Sequence, residues 1–340
     1  MKQPFPKSAS LTVKCKELHR IVLPEDSLCI LITADPDAMA SALALKRLFW
    51  RKVRRIKIFH INSINRADNR AFIRLLNIKQ QHIRKLKRSE FTKWALLDSQ
   101  PQHNDLFKSF NFDLIIDHHP WLNGVKAAYL DIRAGYGANS TILTEYLRTE
   151  KIRPSPRLAT ALFYGIKTDT NNFVRASSPN DVNAFQYLYR FANTNIITKI
   201  ESSEMTKETL VQYAEAMQNM TIIKHTAFIH MGTIENSDSL VMIADFFLKL
   251  AEIDWCVTSG ILNGDLIVVF RSAGLRRDAG KTAEKSFGAF GPAGGRRNAA
   301  RAEMPVENIR SMLKSPGDYR SFVIDRVRRN VIPSGSRIMK

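Results

Sequence analysis

The sequence predicts an α/β protein in which a parallel-sheet domain precedes a smaller mixed α/β domain. In the first half, short apolar runs alternate with segments of helical periodicity, which is typical of a parallel sheet with helices on both faces. A polar stretch rich in Thr, Glu and Gln interrupts this pattern, which restarts near residue 226. The chain has 340 residues, enough for two domains. We place an N-terminal domain at residues 1–192, a helical connector at 193–223 and a C-terminal domain at 224–335.

The first half contains four predicted strands and five predicted helices. Each strand is a short, mainly apolar run bounded by turn-forming or acidic residues. The motif Ser177-Ser178-Pro179-Asn180 is a helix start signal and places the beginning of the last helix. The strands cover residues 28–32, 56–61, 94–97 and 112–116, and the helices cover 38–50, 67–76, 138–148, 156–167 and 181–191.

The second half begins with one polar helix, predicted over residues 204–220. Strands at 227–231, 255–259 and 266–270 and a helix at 239–250 follow it. Asn263-Gly264 between two of these strands predicts a tight hairpin, since both residues tolerate positive φ. A segment rich in glycine and arginine then covers residues 271–301.

Charge and composition favour a protein that binds polyanions and argue against a membrane protein or a disulfide-rich one. Lys and Arg total 51 against 32 Asp and Glu, a formal net charge of +19, which favours a polyanionic partner. The sequence has neither an uncharged stretch of membrane-spanning length nor an apolar signal-peptide core, so we expect no membrane association. Its three cysteines are unclustered, which argues against a disulfide framework and fits a cytoplasmic location.

Acidic residues and histidines follow the predicted strands and end one helix. Side chains beyond the carboxyl ends of parallel strands meet at one edge of the sheet. Carboxylates gathered there repel one another unless a cation lies between them, and Asp with His suits Mn²⁺, Mg²⁺ or Zn²⁺. The set is large enough for two ions, the arrangement that cleaves phosphate esters. Its members are Asp35, Asp37, Asp98, Asp117, His118, His119 and Asp169.

Simpler explanations exist for single members of this set. Asp98 alone fits a turn or a helix cap, and capping accounts for one of Asp35 and Asp37. Asp169 alone fits an ordinary helix end. The adjacent histidines of Asp117-His118-His119 have no packing reason to follow a buried strand directly.

Five segments, in order, resemble the motifs of the DHH phosphoesterase superfamily. This superfamily includes RecJ-type exonucleases, nanoRNA and pAp phosphatases, cyclic-dinucleotide phosphodiesterases, family II pyrophosphatases and exopolyphosphatases. The resemblance extends over roughly residues 28–301 and implies the α/β fold with a DHH-associated C-terminal domain. The five segments are residues 34–41 (ADPDAMAS), 96–98 (LLD), 112–120 (FDLIIDHHP), 165–173 (GIKTDTNNF) and 287–301 (FGAFGPAGGRRNAAR).

The resemblance also implies roles for individual residues. Asp35 and Asp37 would each bind a different ion, Mn²⁺ or Mg²⁺, and Asp98 would bridge the two. His118 and Asp169 would complete the second ion site. His119 would contact the scissile phosphate, with Asp117 as the other predicted catalytic residue. Substrate binding would fall to Arg271, Gly294, Gly295, Arg296 and Arg297.

Two positions depart from the family patterns. Many members have a histidine four residues before the first Asp, where this chain has Leu31, and RecJ-type members have an Asp at the position of Thr33. One ion site therefore keeps only Asp35 and Asp98. The usual Gly-Gly-Gly-His motif ends here in Arg296, which can hold a phosphate through its fork of donors but cannot act as a neutral base.

The predicted function is hydrolysis of short oligonucleotides or small nucleotides by a two-metal phosphoesterase. Two alternatives stay open: a pyrophosphatase or exopolyphosphatase, and a degenerate relative that binds nucleotide or RNA without cleaving it. The expected partner is a short nucleic acid or nucleotide, and a homodimer is left open. A second basic cluster, residues 51–57 with residues 84–88, fits either a solvated surface or a flank that binds polyanions.

Overall fold

The computed structural model describes residues 10–175, 177–203, 206–273 and 278–331. The chain divides into two compact units, residues 1–204 and 205–340. This division falls inside the segment predicted as a connector. The helix of residues 194–202 belongs to the first unit, and the helix of residues 207–218 belongs to the second.

The first unit contains a six-stranded sheet, and every strand pairing in it is parallel. The parallel sheet predicted from the apolar runs is thereby confirmed. The strand order is β3-β2-β1-β4-β5-β6, so the three strands that precede the acidic motifs are neighbours. The strands are β1 (Ser27–Ile32), β2 (Arg55–His60), β3 (Gln81–His82), β4 (Lys93–Leu97), β5 (Leu114–Asp117) and β6 (Tyr129–Ile132).

All five helices predicted for this half are present, with ends shifted by a few residues. Asp35, Ser155 and Ser178 cap the first turns of α2, α6 and α7 with their side-chain oxygens. The helices are α1 (Leu11–Ile21), α2 (Pro36–Leu48), α3 (Ala67–Leu75), α4 (Asp105–Lys108), α5 (Asn139–Thr149), α6 (Pro156–Asp169), α7 (Pro179–Tyr189) and α8 (Thr194–Ser202).

The two faces of this sheet are covered differently. Ile30 and Ile32 of β1 point into a large core with the long helices, among them α2, α5 and α6. Cys29 and Leu31 point to the other face, where aromatic side chains such as Phe91 and Phe112 pack from short segments. The expectation of helices on both faces therefore holds only in part, since the second face is closed mainly by short segments.

The second unit is a mixed α/β structure around a second six-stranded sheet, ordered β11-β12-β10-β9-β8-β7. The pairing of β8 with β9 is parallel, and its other pairings are antiparallel. The strands are β7 (Met220–Ile223), β8 (Thr226–Thr233), β9 (Trp255–Leu262), β10 (Asp265–Ser272), β11 (Ala293–Gly295) and β12 (Ala299–Pro305). The helices are α9 (Lys207–Gln218), α10 (Asp238–Phe247), α11 (Ala279–Phe287), α12 (Val306–Ile309) and α13 (Tyr319–Val331).

The hairpin predicted at Asn263-Gly264 is present between β9 and β10. The two residues have φ of 52° and 91°. Positive φ at both positions lets a two-residue turn match the right-handed twist of the two strands. The prediction of one helix over residues 204–220 is wrong at its end, because α9 stops at Gln218 and Met220 already belongs to β7. Within the described residues, the longest and most apolar helices still fall short of what crossing a bilayer requires.

Candidate metal centre

The acidic motifs converge at the carboxyl edge of the parallel sheet. β1, β4 and β5 are neighbours, so the residues that follow them share one edge, and the last residue of α6, Asp169, reaches the same place. The structure places ligand atoms of two overlapping groups within 4.8 Å of one another: Asp98 with His118 and His119, and Asp37 with His118 and Asp169.

His118 is oriented so that one ring nitrogen faces the carboxylates. Its Nδ1 lies 3.1 Å from the carbonyl oxygen of Tyr136, and because a carbonyl can only accept, Nδ1 carries a proton there. The other nitrogen, Nε2, lies 3.2 Å from Asp98 Oδ1 and 2.9 Å from Asp169 Oδ2. A backbone carbonyl that fixes the far nitrogen in this way is typical of metal-ligating histidines.

Asp98 adopts a strained backbone and places a buried oxygen near His118. Its φ of 56° is unusual for a residue with a side chain, and such strain is concentrated at functional sites. Asp98 Oδ1 and His118 Nε2 are both buried and face each other at 3.2 Å, and neither atom meets hydrogen-bond geometry with a described residue. Leaving buried polar atoms unsatisfied is costly, and a divalent cation between these two atoms would satisfy both.

Burial and mutual repulsion raise the pKa values of the clustered carboxyls. Burial is the main cause for Asp35, whose pKa rises to about 7, and for Asp37, whose pKa rises to about 6. Burial, followed by the charges of Asp37 and Asp35, raises the pKa of Asp98 well above its ordinary value. These carboxyls therefore hold their protons to a higher pH than an ordinary Asp does, unless a cation keeps them ionised.

Asp37 is held by the first turn of α5. Its Oδ2 accepts a hydrogen bond from Asn139 N at 2.7 Å, and its Oδ1 accepts one from Ser140 N at 2.8 Å. The cap residue of α5, Ala138, has no side-chain acceptor, so Asp37 caps this helix from another element. Gly165 of α6 makes the approach possible, since a Cβ there would lie 3.1 Å from Asp37 Cα.

Asp35 makes the weakest contribution to the cluster. Its Oδ1 accepts a hydrogen bond from Ala38 N at 2.8 Å and caps α2, and no group of three ligand atoms among the described residues includes it. Leu31, at the position of the family histidine, is fully buried in the apolar core of the second sheet face. Of the two aspartates in the first motif, Asp37 therefore belongs to a group of possible metal ligands and Asp35 does not.

Asp117 orients His119. Asp117 Oδ1 accepts from His119 Nδ1 at 2.8 Å and from the backbone N–H of His118 at 2.9 Å. Its Oδ2 accepts from Gln100 Nε2 at 2.7 Å. Burial alone would raise the pKa of Asp117, but the hydrogen bond and charge of His119 outweigh it and hold this pKa below its ordinary value. The arrangement fixes the His119 ring at the rim of the cluster, where 22% of its side chain is exposed.

Two further residues lie at the site. His103 lies beside His119, with ring centroids 5.2 Å apart, and its ring can join Asp117 and His119 as a group of possible ligands. Gln100 is fully buried and donates to the carbonyl oxygen of Pro120 at 2.9 Å, while its own oxygen accepts from Leu122 N at 2.8 Å. A glutamine after a strand carries no motif signal, and only the fold shows that it ties this loop to Asp117.

Replacing Gln100 by alanine is expected to loosen His119 and destabilise the first unit. The substitution leaves Asp117 Oδ2 and two backbone groups without their partner, which costs roughly 2–4 kcal/mol of unfolding free energy. Urea unfolding measures this loss. Gln102→Ala is the matched control, because the Gln102 side chain is exposed and donates only to Asn123 O at 3.1 Å. Equal midpoints for the two variants would contradict the assigned role of Gln100.

The predicted substrate-binding residues lie in the second unit. Gly294 and Gly295 belong to β11, and a Cβ at Gly295 would meet the carbonyl oxygen of Ala299 at 2.4 Å. Arg296 and Arg297 are exposed in the turn that follows. Arg271 is already engaged, since its Nε donates to Asp245 Oδ1 at 2.8 Å. Residues 274–277 of the glycine- and arginine-rich segment lie outside the described residues.

Comparison with known sequences finds a relative of unestablished function. No family model matches the chain. An uncharacterized protein of Methanocaldococcus jannaschii is 34% identical over 302 residues, which is 88% of this chain and 62% of the relative. The chain thus spans less than two thirds of that relative's length.

Two solved structures share the arrangement of elements. An exopolyphosphatase-related protein from Bacteroides fragilis superposes with a TM-score of 0.73 at 14% identity, covering 95% of this chain and 97% of that one. RecJ from Thermus thermophilus in complex with Mn²⁺ superposes with a TM-score of 0.55 at 12% identity, covering 93% of this chain and 54% of RecJ. At these identities the similarity establishes the fold, and the chemistry has to be argued from the site.

Proposed function

We propose that this chain, whose fold is that of the DHH phosphoesterases, hydrolyses phosphate esters of short oligonucleotides or small nucleotides with the help of divalent metal ions. One observation carries the proposal: carboxylates that follow β1 and β4 and one at the end of α6 meet at His118, whose Nε2 faces Asp98 Oδ1 without hydrogen-bond geometry. The formal net charge of +19 supports a polyanionic substrate.

The residues near His118 offer a fuller set of ligands for a divalent cation than the residues near Asp35 do. Asp37, Asp98, His118 and Asp169 supply three carboxylates and an imidazole, a donor set that suits Mn²⁺, and RecJ with this fold binds Mn²⁺. A second ion would have Asp35 and Asp98 as its predicted ligands, with oxygen atoms of the substrate completing its shell. When bound, such ions stabilise negative charge on phosphoryl oxygens and lower the pKa of water.

The remaining residues would position the substrate. Asp117 accepts a hydrogen bond from His119 Nδ1, which leaves the other ring nitrogen, Nε2, for contact with the substrate phosphate. Gln100 holds Asp117 from the opposite side. In the second unit, Arg296 and Arg297 are exposed and form no ion pair within the described residues, so we propose them as residues that bind phosphate groups.

A substrate panel tests the proposal. Phosphate and mononucleotide release would be measured from pAp, a linear diadenylate, short RNA, single-stranded DNA and polyphosphate, with Mn²⁺ and with Mg²⁺. Asp98→Asn should abolish release, whereas Asp105→Asn, the same change at a 92% exposed side chain, should not. Release from polyphosphate alone would favour a pyrophosphatase or exopolyphosphatase. Nucleotide-dependent thermal stabilisation without any turnover would favour a binding protein.

Metal affinity is expected to rise with pH between about 5 and 8. Asp35, Asp37 and Asp98 all have raised pKa values in the metal-free protein. Burial alone would lower the pKa of His118, but the adjacent carboxylates of Asp169 and Asp98 outweigh it and raise this pKa as well. Because ligands bind metal in their deprotonated forms, binding must release protons, and lower pH opposes it. Calorimetric titration with Mn²⁺ in buffers of different ionisation enthalpy measures this release, and an enthalpy independent of the buffer would contradict it.

A further inference from the structure

A basic cavity lies at the end of the first sheet opposite the metal centre. Helix α2 starts at the centre with Asp35 as its cap and runs away from it to Leu48. Helix α6 runs the other way, from Pro156 to Asp169. The end of α2, the beginning of α6 and the beginning of β2 therefore lie together, about 20 Å from the centre along the 13 residues of α2.

These three segments enclose a cavity of about 630 Å³. Seven of its fourteen lining residues are Lys or Arg, and none is Asp or Glu. Its apolar lining includes Leu43, Val53 and Leu158. A concave site lined by both cations and apolar side chains suits a ligand that is both anionic and partly apolar.

Six of the seven cations that line this cavity lack an ion-pair partner among the described residues. Arg55 pairs with Glu90 at 2.6 Å, but the other six form no ion pair with any carboxylate that the structure describes. Lys46 and Arg157 are close enough for repulsion, which together with the larger effect of burial lowers the pKa of Lys46. The Lys and Arg side chains of the cavity therefore carry positive charge that no described carboxylate neutralises, and such charge attracts an anion.

Aromatic rings accompany this charge. Trp50 has 53% of its surface exposed. The guanidinium groups of Arg47 and Arg51 lie over its ring, 5.5 and 5.6 Å from the ring centroid. A second group of such pairs lies between residues 148–153 and the end of α7. There, Arg148 lies over Tyr187 and Arg153 over Phe191, each at 4.8 Å.

We propose that this end of the first unit is a second nucleic-acid site, which binds single-stranded RNA or DNA by stacking a base on Trp50 and holding the adjoining phosphates with the arginines around it. Alternating aromatic rings and cations are the usual means of binding a single strand without reading its sequence. A duplex keeps its bases stacked inside, and inorganic polyphosphate has no base, so neither uses Trp50. The proposal does not depend on hydrolysis at the metal centre.

Fluorescence anisotropy tests the site with a labelled 20-nucleotide single strand, a duplex of the same length and labelled polyphosphate, all without divalent metal. Trp50→Ala should weaken binding of the single strand roughly tenfold, the effect of losing one stacked base, and leave the duplex and polyphosphate unchanged. Arg51→Ala with Arg54→Ala should lower the slope of log affinity against log salt by about 1.4, since each phosphate contact contributes about 0.7.

The matched control removes two charges elsewhere in the first unit. Lys16 and Lys199 are exposed on α1 and α8 and form no ion pair within the described part of the chain, so Lys16→Ala with Lys199→Ala should leave single-strand affinity within twofold of wild type. Unchanged affinity in both the tryptophan and the arginine variants would overturn the proposal. It would also be overturned if the arginine variant weakened all three ligands equally and Trp50→Ala weakened none, because charge alone would then explain the binding.

Discussion

An Asp98→Asn variant is expected to lose hydrolysis by at least roughly a hundredfold, the loss seen when one charged or polar group is removed from a preorganised site. Asparagine keeps the shape of the side chain but removes the negative charge, and Asp98 lies 3.2 Å from His118 Nε2 at the centre of the ligand cluster. Initial rates with Mn²⁺ on whichever substrate the panel identifies measure the loss.

The same variant is expected to be at least as stable as wild type when metal is absent. Burial and the charges of Asp37 and Asp35 raise the pKa of Asp98, so the metal-free fold favours a neutral group at this position. Melting temperatures in EDTA should therefore be equal or higher for Asp98→Asn, and the stabilisation that Mn²⁺ gives to wild type should disappear. A variant that melts far below wild type in EDTA, or that keeps its Mn²⁺ stabilisation, would contradict this account of Asp98.

A Gly165→Ala variant is expected to lose both stability and metal affinity. A Cβ at this position would lie 2.6 Å from Ser140 Oγ and 3.1 Å from Asp37 Cα. The Ser140 hydroxyl can rotate, but the backbone of α2 has to move, and overpacking of this kind costs roughly 1–3 kcal/mol. Because the displaced residue is the predicted ligand Asp37, Mn²⁺ should bind less tightly as well.

Two comparison variants separate these effects. Gly135→Ala is the control, since a Cβ there meets no atom within 4 Å, and its unfolding midpoint and Mn²⁺ affinity should match wild type. Adding Ser140→Ala to Gly165→Ala removes the contact with Oγ and should restore part of the stability, while the contact with Asp37 Cα persists. Wild-type behaviour of Gly165→Ala in both measurements would show that α2 and α6 approach less closely than described.

The sequence predicted the sheet and the positions of the acidic residues because both depend on local patterns. The apolar runs of β1, β4 and β5 are distinct from their surroundings, and parallel packing then brings Asp98 and Asp117 to one edge. α1 and β6 were missed. The helix is marked mainly by its Ser10 cap and two buried residues, Cys15 and Leu18, and the strand has only four residues.

The support of the site depends on contacts between distant parts of the chain, which the sequence does not display. Asn62 holds the first motif through Ala34, with its Oδ1 accepting from Ala34 N at 2.7 Å. Asp37 doubles as the cap of α5, 102 residues away. No pattern of residue spacing in the sequence predicts either contact. The consequence of Leu31 also needed the fold, which shows its side chain directed into an apolar core.

Anomalous diffraction from crystals grown or soaked with Mn²⁺ tests the central claim most directly, because it locates the ion independently of any substrate. The account predicts a strong peak bounded by Asp37, Asp98, His118 and Asp169, and its absence from the Asp98→Asn variant under the same conditions. A fully occupied Mn²⁺ peak elsewhere, with His118 still in direct contact with Asp98 and Asp169 and no density between them, would contradict the assignment of a metal centre to this cluster.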